Sequence, residues 1–324
     1  MKTIQELQPI FNHYLQKQSF DKQPKELYEP FQYMLGLGGK RMRPVLVLLG
    51  CEMFCHEAER ALPQAMAIEL FHNFTLLHDD IMDDAPVRRG QPTVQNKFGR
   101  DVAILSGDNM LVHAYEFLLR NAHRKSEMIF SLFNKTAIEV CEGQQWDLNF
   151  EREKVVSSSQ YLKMIELKTA VLIGCALKMG AIIGGANAED AQRLYETGRK
   201  LGIAFQLQDD MLDSFGNAEK FGKQQGGDII RNKKTFLLIE ALEKSSPEQK
   251  KNLESWLSKK DFDAKEKVNA VLDTYNELNI HDAALNEMKK FYDEAMADLD
   301  EIDLPEMSKV NLRNFAAELA ERES

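Results

Sequence analysis

Apolar residues recur every three to four positions along nearly the whole chain, and no segment alternates apolar and polar residues with a clean period of two. This pattern predicts helices over 3–17, 25–35, 43–55, 63–83, 101–121, 126–146, 158–184, 188–215, 233–244, 247–258, 263–277, 280–299 and 305–322, with strands rare. Gly36-x-Gly38-Gly39 breaks the second helix from the third. Pro86, Gly90 and Pro92 make 85–99 a loop. Pro44 falls near a first-turn position, where a missing N–H costs nothing. The most apolar run, 169–186, is interrupted by Lys178 and is barely long enough to cross a bilayer, so it reads as an interior helix. The fold class is all-α, a helical bundle, and the more charged 244–300 reads as solvated helices at the periphery.

Composition narrows the partners. The chain has 324 residues, of which 44% are hydrophobic, with only 18 glycines and 9 prolines. That suits one large domain or two ordinary ones, with a large helical core. A net charge of −10 disfavours nucleic acid. The first residues carry no signal-peptide core, no membrane span is expected, and four cysteines are too few for a secreted scaffold, so the expected compartment is the cytoplasm. Cys51, Cys55 and His56 could suggest a soft-metal site, but Cys51 and Cys55 read better as i and i+4 on a buried helix face.

Two acidic clusters change the picture most. Asp79-Asp80-Ile81-Met82-Asp83-Asp84 and Asp209-Asp210-Met211-Leu212-Asp213 each contain DDxxD, and each follows an apolar stretch. Two like charges about 4 Å apart repel by roughly 4 kcal/mol at an effective dielectric of 20. Hard divalent cations, Mg2+ or Mn2+, relieve that repulsion and favour oxygen ligands. On a helix Asp79 and Asp83 share a face, about 6 Å apart at Cβ, and Asp209 and Asp213 repeat the spacing. Basic groups accompany the clusters: Lys40-Arg41-x-Arg43 after the glycine break, Arg88-Arg89-Gly90 after the first cluster, Lys223 and Lys233 after the second. Guanidinium forks and ammonium groups match phosphate oxygens, so the combination points to a metal–diphosphate ligand. The Gly-Gly-Lys-Arg run is not a Walker A loop, because no Ser or Thr follows Lys40.

The motifs, in order, resemble the trans-isoprenyl diphosphate synthases, the polyprenyl synthetase family. They are Gly38-Gly39-Lys40-Arg41-x-Arg43-Pro44, Glu69-x-x-His72, His78-Asp79-Asp80-x-x-Asp83, Arg88-Arg89-Gly90-x-Pro92-Thr93, Gly143-Gln144-x-x-Asp147-Leu148, Lys168-Thr169, Phe205-Gln206-x-Gln208-Asp209-Asp210-x-x-Asp213 and Gly222-Lys223. The resemblance implies a single polyprenyl synthetase domain over 1–324, its core at about 30–300 and peripheral helices at 1–29 and 244–324, with the isoprenoid-synthase fold around a deep cavity, as a homodimer. It implies condensation of isopentenyl diphosphate with an allylic diphosphate: dimethylallyl, geranyl or farnesyl. Three Mg2+ ions would join the allylic diphosphate to Asp79, Asp83 and Asp209, with Asp80 and Asp213 as further metal-site groups; Asp84 and Asp210 would act from behind them or through water. Arg88, Lys168, Lys223 and Lys233 would hold the allylic diphosphate; Lys40, Arg43, His72 and Arg89 would hold isopentenyl diphosphate. Gln206 and Thr169 would neighbour the reacting carbon and the developing cation. His78 is left as a structural residue.

In that family the residues ahead of the first acidic motif form the pocket floor. Phe74 lies five positions before Asp79, about 7.5 Å down the helix, with Thr75 beside it and Phe71 one turn deeper. The motif also lacks the two-residue insertion of typical bacterial farnesyl synthases. Geranylgeranyl diphosphate (C20) is the expected product, with farnesyl diphosphate (C15) the alternative. Three rival readings fit less of the chain. A terpene cyclase would carry a different second metal motif, a non-catalytic subunit of a heteromeric synthase would have lost an acidic set, and an HD-type phosphohydrolase using His72, His78 and Asp79 leaves the second DDxxD unexplained.

Overall fold

A computed structural model describes residues 1–122, 125–216 and 226–320. The helices are α1 (Ile4–Gln16), α2 (Lys25–Gly36), α3 (Met42–Cys55), α4 (Leu62–Met82), α5 (Val94–Phe98), α6 (Arg100–Leu119), α7 (Ser126–Phe150), α8 (Ser158–Ile165), α9 (Val171–Gly184), α10 (Ala188–Phe215), α11 (Gly227–Ile230), α12 (Phe236–Lys244), α13 (Pro247–Ser258), α14 (Ala264–Glu277), α15 (Ile280–Asp300) and α16 (Glu306–Ala320). The fold is all-helical, as the periodicity predicts. Among the described residues the only strands are β1 (Val87–Arg88) and β2 (Gln91–Pro92), an antiparallel pair with Val87 opposite Pro92 and Arg88 opposite Gln91.

The contacts divide the chain into two compact units. The first comprises Met1–Asn134, Cys175–Tyr195 and Ile302–Asn311; the second comprises Lys135–Gly174, Glu196–Glu301 and Leu312–Ser324. The first acidic motif belongs to the first unit and the second motif to the second.

In the first unit α4 is the central element. Every residue from Pro63 to Phe71 is buried, so this half of the helix is enclosed on all sides. It packs along α6 and against α3. The buried Gln64 amide donates to the carbonyls of Leu118 (3.0 Å) and Arg120 (2.7 Å), satisfying orphan acceptors at the end of α6. Beyond Phe71 the enclosure loosens: Phe74, Thr75, Leu76 and Asp79 are half-buried, and Asp83 and Asp84 are exposed. Asp84, at φ +47°, ends the helix in the left-handed region. Behind α4, the 175–184 part of α9 meets α3 backbone to backbone. A Cβ on Gly180 would lie 2.0 Å from the Val47 carbonyl oxygen, so only glycine permits this approach.

The second unit buries its own core. Phe150, Tyr161, Ile203, Leu207, Met211, Phe236, Leu237, Tyr275 and Met288 belong to one cluster drawn from α7, α8, α10, α12, α14 and α15. The stretch from Ser158 to Gly184 is long and apolar enough to cross a membrane by composition, but 78% of its most apolar window is buried within the protein. It is a core segment, not a lipid-facing one. It also departs from the single helix expected over 158–184. Between α8 and α9, Glu166–Ala170 is a π-helical turn in which the Val171 N–H donates to Glu166, one residue further back than in an α-helix.

Candidate active site

In the first unit two turns rich in positive φ meet. One contains Gly38 (φ +78°), Gly39 (+126°) and Arg41 (+50°), immediately before α3. The other joins β1 to β2 through Arg89 (+53°) and Gly90 (+75°), the pair of positive φ values that a tight two-residue hairpin needs. The Arg89 guanidinium donates to the Gly38 carbonyl and lies so close over Gly39 that a Cβ there would stand 2.7 Å from it. A non-glycine residue in this conformation costs of order 1 kcal/mol. Here it directs a cation into the same space as those from α3.

That space holds an excess of positive charge. Arg41 is buried and paired with Glu69 on α4, and also donates to the Leu35 carbonyl at 2.5 Å. Glu69 is held in turn by the Asn73 amide at 2.9 Å. Arg43 reaches the His72 ring at 3.2 Å. Arg88 donates two parallel bonds to Asp80, 2.7 and 2.8 Å long. Burial, followed by the charges of Arg43, Arg89, Arg88 and Arg41, pushes the His72 imidazolium well below the usual histidine range. Burial and the Arg41 charge likewise press the Arg89 guanidinium below its ordinary value. Four arginines and a neutral imidazole face two carboxylates, an arrangement suited to an anion. Lys40 lies exposed on the adjoining turn.

At the open end of α4, Asp79 and Asp83 are one turn apart, and the Asp83 N–H donates to the Asp79 carbonyl at 2.9 Å. Asp80 is 3% exposed, with both oxygens committed to Arg88. Below Asp79 an aromatic layer follows: the ring centroids of Phe74 and Phe71 lie 5.7 Å apart, and those of Phe71 and Phe133 5.3 Å apart. Thr75 is half-buried, its hydroxyl donating to the His72 carbonyl at 2.8 Å. The His78 ring lies 4.7 Å from that of Phe74, tilted by 58°, and its Nε2 sits 3.4 Å from the Ile104 carbonyl oxygen.

The second unit repeats the division of labour. Asp209 is exposed and Asp213 half-buried, whereas Asp210 is 3% exposed. Asp210 accepts from the Tyr161 hydroxyl and, at 3.2 Å, from the Gln206 amide. Burial raises its carboxyl to about 7, opposed by the Tyr161 hydrogen bond and the Lys233 charge. Asp213 accepts from the Asp228 N–H at 2.9 Å, which ties α11 to the acidic motif. Lys168 is ion-paired with Asp147 at 2.6 Å, and the Thr169 hydroxyl donates to Gln206 at 3.3 Å. Burial alone would lower the Lys233 ammonium, but Asp228, Asp147 and Asp210 raise it above its ordinary value. Lys168 and Thr169 lie in the π turn, where α7 passes very close. A Cβ on Gly143 would come within 2.3 Å of the Lys168 nitrogen.

The structure thus brings Arg43, His72, Arg88 and Arg89 together around α4, and Lys168, Thr169, Gln206 and Lys233 together around α10. Lys223 lies outside the described residues. Tyr161 and Asp228 were not singled out from the sequence. A buried tyrosine one helical segment ahead of Lys168-Thr169 and an aspartate in the Gly-Gly-Asp turn carry no motif of their own.

Among the described residues no three acidic, histidine or cysteine side chains form a closed metal cage. The donors fit magnesium nevertheless. Mg2+ is commonly held by one or two carboxylates together with waters and substrate phosphates, and the outer aspartates offer oxygen ligands only.

The Polyprenyl synthetase family matches residues 24–275. A geranylgeranyl diphosphate synthase of Methanosarcina mazei is 44% identical over 223 residues, 68% of this chain and 69% of its own. The crystal structure of a geranylgeranyl pyrophosphate synthase superposes with a TM-score of 0.95 at 41% identity, covering 100% of both chains. The geranylgeranyl pyrophosphate synthase of Corynebacterium glutamicum, complexed with calcium and isoprenyl diphosphate, superposes with a TM-score of 0.82 at 28% identity, covering 98% of this chain and 96% of that one. The site, the fold and the matched sequence agree, and the chain belongs to the polyprenyl synthetase family.

Proposed function

We propose that the chain is a prenyltransferase that joins isopentenyl diphosphate to an allylic diphosphate and makes geranylgeranyl diphosphate (C20). The observation that carries this reading is the cluster of Arg41, Arg43, Arg88 and Arg89 around a neutral His72, beside the acidic end of α4. It is a cation-rich site next to the carboxylates at the open end of α4, and the Phe71 and Phe74 rings lie on the same helix.

Arg43, His72, Arg89 and Lys40 bind the isopentenyl diphosphate. A bound diphosphate relieves the mutual repulsion of these arginines. Arg88, Lys168 and Lys233, with Lys223, bind the allylic diphosphate, and Asp80 aims the Arg88 fork. Asp79, Asp83, Asp209 and Asp213 hold Mg2+, three ions being the family pattern. The metal supplies charge neutralisation for the departing diphosphate.

The allylic C–O bond breaks toward that cationic surround, leaving an allylic cation with the Gln206 and Thr169 oxygens as its neighbours. The double bond of isopentenyl diphosphate attacks the cation to form the new C–C bond, and a proton leaves the isopentenyl C2 for the released diphosphate. Phe71 and Phe74 help keep water from the cation and set how far the growing chain extends. Phe74 supports C20; farnesyl diphosphate is the second reading.

We place the enzyme in the cytoplasm, in keeping with four free cysteines, and read it as a homodimer from the apolar face of α6. The functional reading is tested by incubating the protein with labelled isopentenyl diphosphate, Mg2+ and each allylic starter, then sizing the products. Label in a C20 diphosphate is expected. Consumption of starter without incorporation of isopentenyl carbon overturns it.

A further inference from the structure

We propose that Tyr161 is a positioning residue: its hydroxyl fixes the Asp210 carboxylate and, through it, the amide of Gln206 for the prenyl-transfer step. This rests on the prenyl-transfer reading above. Tyr161 is 1% exposed and Asp210 3% exposed. The ring alone could be supplied by phenylalanine, and a buried hydroxyl is costly unless bonded. Here it donates to one oxygen of Asp210, while the Gln206 Nε2 donates to the other at 3.2 Å. With its nitrogen held there, the Gln206 amide presents Oε1 to the Thr169 hydroxyl, which donates to it at 3.3 Å. The amide orientation follows from this network.

The chain Tyr161–Asp210–Gln206–Thr169 runs from α8 to α10 and back to the π turn, so it bridges both elements that carry the reacting-centre residues. A carboxamide oxygen held at a fixed place stabilises developing positive charge without reorganising when the charge appears. Asp210 also shares α10 with Asp209. Its commitment to Tyr161 and Gln206 gives the inner aspartate of the second motif a task distinct from that of its outer neighbours.

The test is a double-mutant cycle on the full-length enzyme with saturating Mg2+. Tyr161→Phe keeps the ring and removes only the hydroxyl. Its kcat is expected to fall about tenfold, with KM for both diphosphates within about twofold of wild type. In a Gln206→Ala background, Tyr161→Phe is expected to lower kcat no further. An unchanged kcat, a loss confined to KM, or an additive loss in the double variant overturns the proposal. Should Tyr161→Phe give no folded protein, Asp210→Asn examines the same linkage. It keeps an acceptor for the Tyr161 hydroxyl but sets an N–H against Gln206, and an additive loss with Gln206→Ala again overturns the proposal. Wild-type protein run in parallel separates the two readings. Absence of any prenyl product removes the functional reading on which this one stands, whereas normal wild-type turnover with additive variants removes only the role of Tyr161.

Discussion

Asp80 and Asp210 occupy the same place in their motifs and share the same fate: both are 3% exposed and both are committed to protein partners, while Asp83 and Asp209 are exposed. Each DDxxD is therefore two-tiered, with an inner aspartate that organises side chains and outer ones suited to cations. The sequence shows the aspartates as equals. Their sorting depends on Arg88, eight residues on, and Tyr161, forty-nine residues back. For Asp80, placed among the metal-site groups on sequence grounds, the bidentate Arg88 pair supports an orienting role. His72 provides a prediction at this scale. An unfolded histidine titrates near 6.5, and His72 in the fold titrates well below that. The unfolded chain thus binds more protons below about pH 6.5, and stability falls as pH drops through that window. His72→Gln removes this contribution, so its thermal midpoint is expected to decline less steeply than wild type between about pH 6.5 and 5. Parallel declines would contradict the charge environment described for the site.

At the scale of the element, the helices were legible because a large core imposes a 3.6-residue period on any helix that faces it. α4 follows its expected span closely, at Leu62–Met82 against 63–83. What stayed hidden was local. The π turn at Glu166–Ala170 inserts one residue into an apolar run, and an almost uniformly apolar stretch shows no phase shift to read. The hairpin at Val87–Pro92 is too short to show alternation, so its region read as a loop, although Gly90 and Pro92 did mark the turn. The aromatic layer of α4 was legible from spacing along one helix, but the contribution of Phe133 was not, because it comes from α7. Phe74→Ala opens that layer one turn and a half below Asp79. Its products are expected to lengthen beyond those of wild type, to C25 or more, in a chromatographic chain-length assay. An unchanged distribution would show that the ring does not limit growth.

On the scale of the whole molecule, α6 carries Leu105, Val112 and Leu119 at seven-residue spacing, 60%, 67% and 46% exposed. Three large apolar residues at heptad spacing suit the seam of a helix–helix interface, and the proposed homodimer would seat a second copy of the chain there. Wild-type protein is expected to sediment at about twice 37.1 kDa and Val112→Asp at the single-chain mass. A wild type that sediments as a single chain, or a variant that stays paired, contradicts this assignment.

The central claim is the proposed one, that the aspartates of the two DDxxD motifs hold magnesium for an allylic diphosphate. Titration calorimetry with a non-ionisable thiolo analogue of that diphosphate tests it most directly. The account predicts Mg2+-dependent binding that chelation abolishes and that Asp79→Asn and Asp209→Asn each weaken at least tenfold. Binding that survives chelation, or that either substitution leaves at wild-type strength, would contradict it.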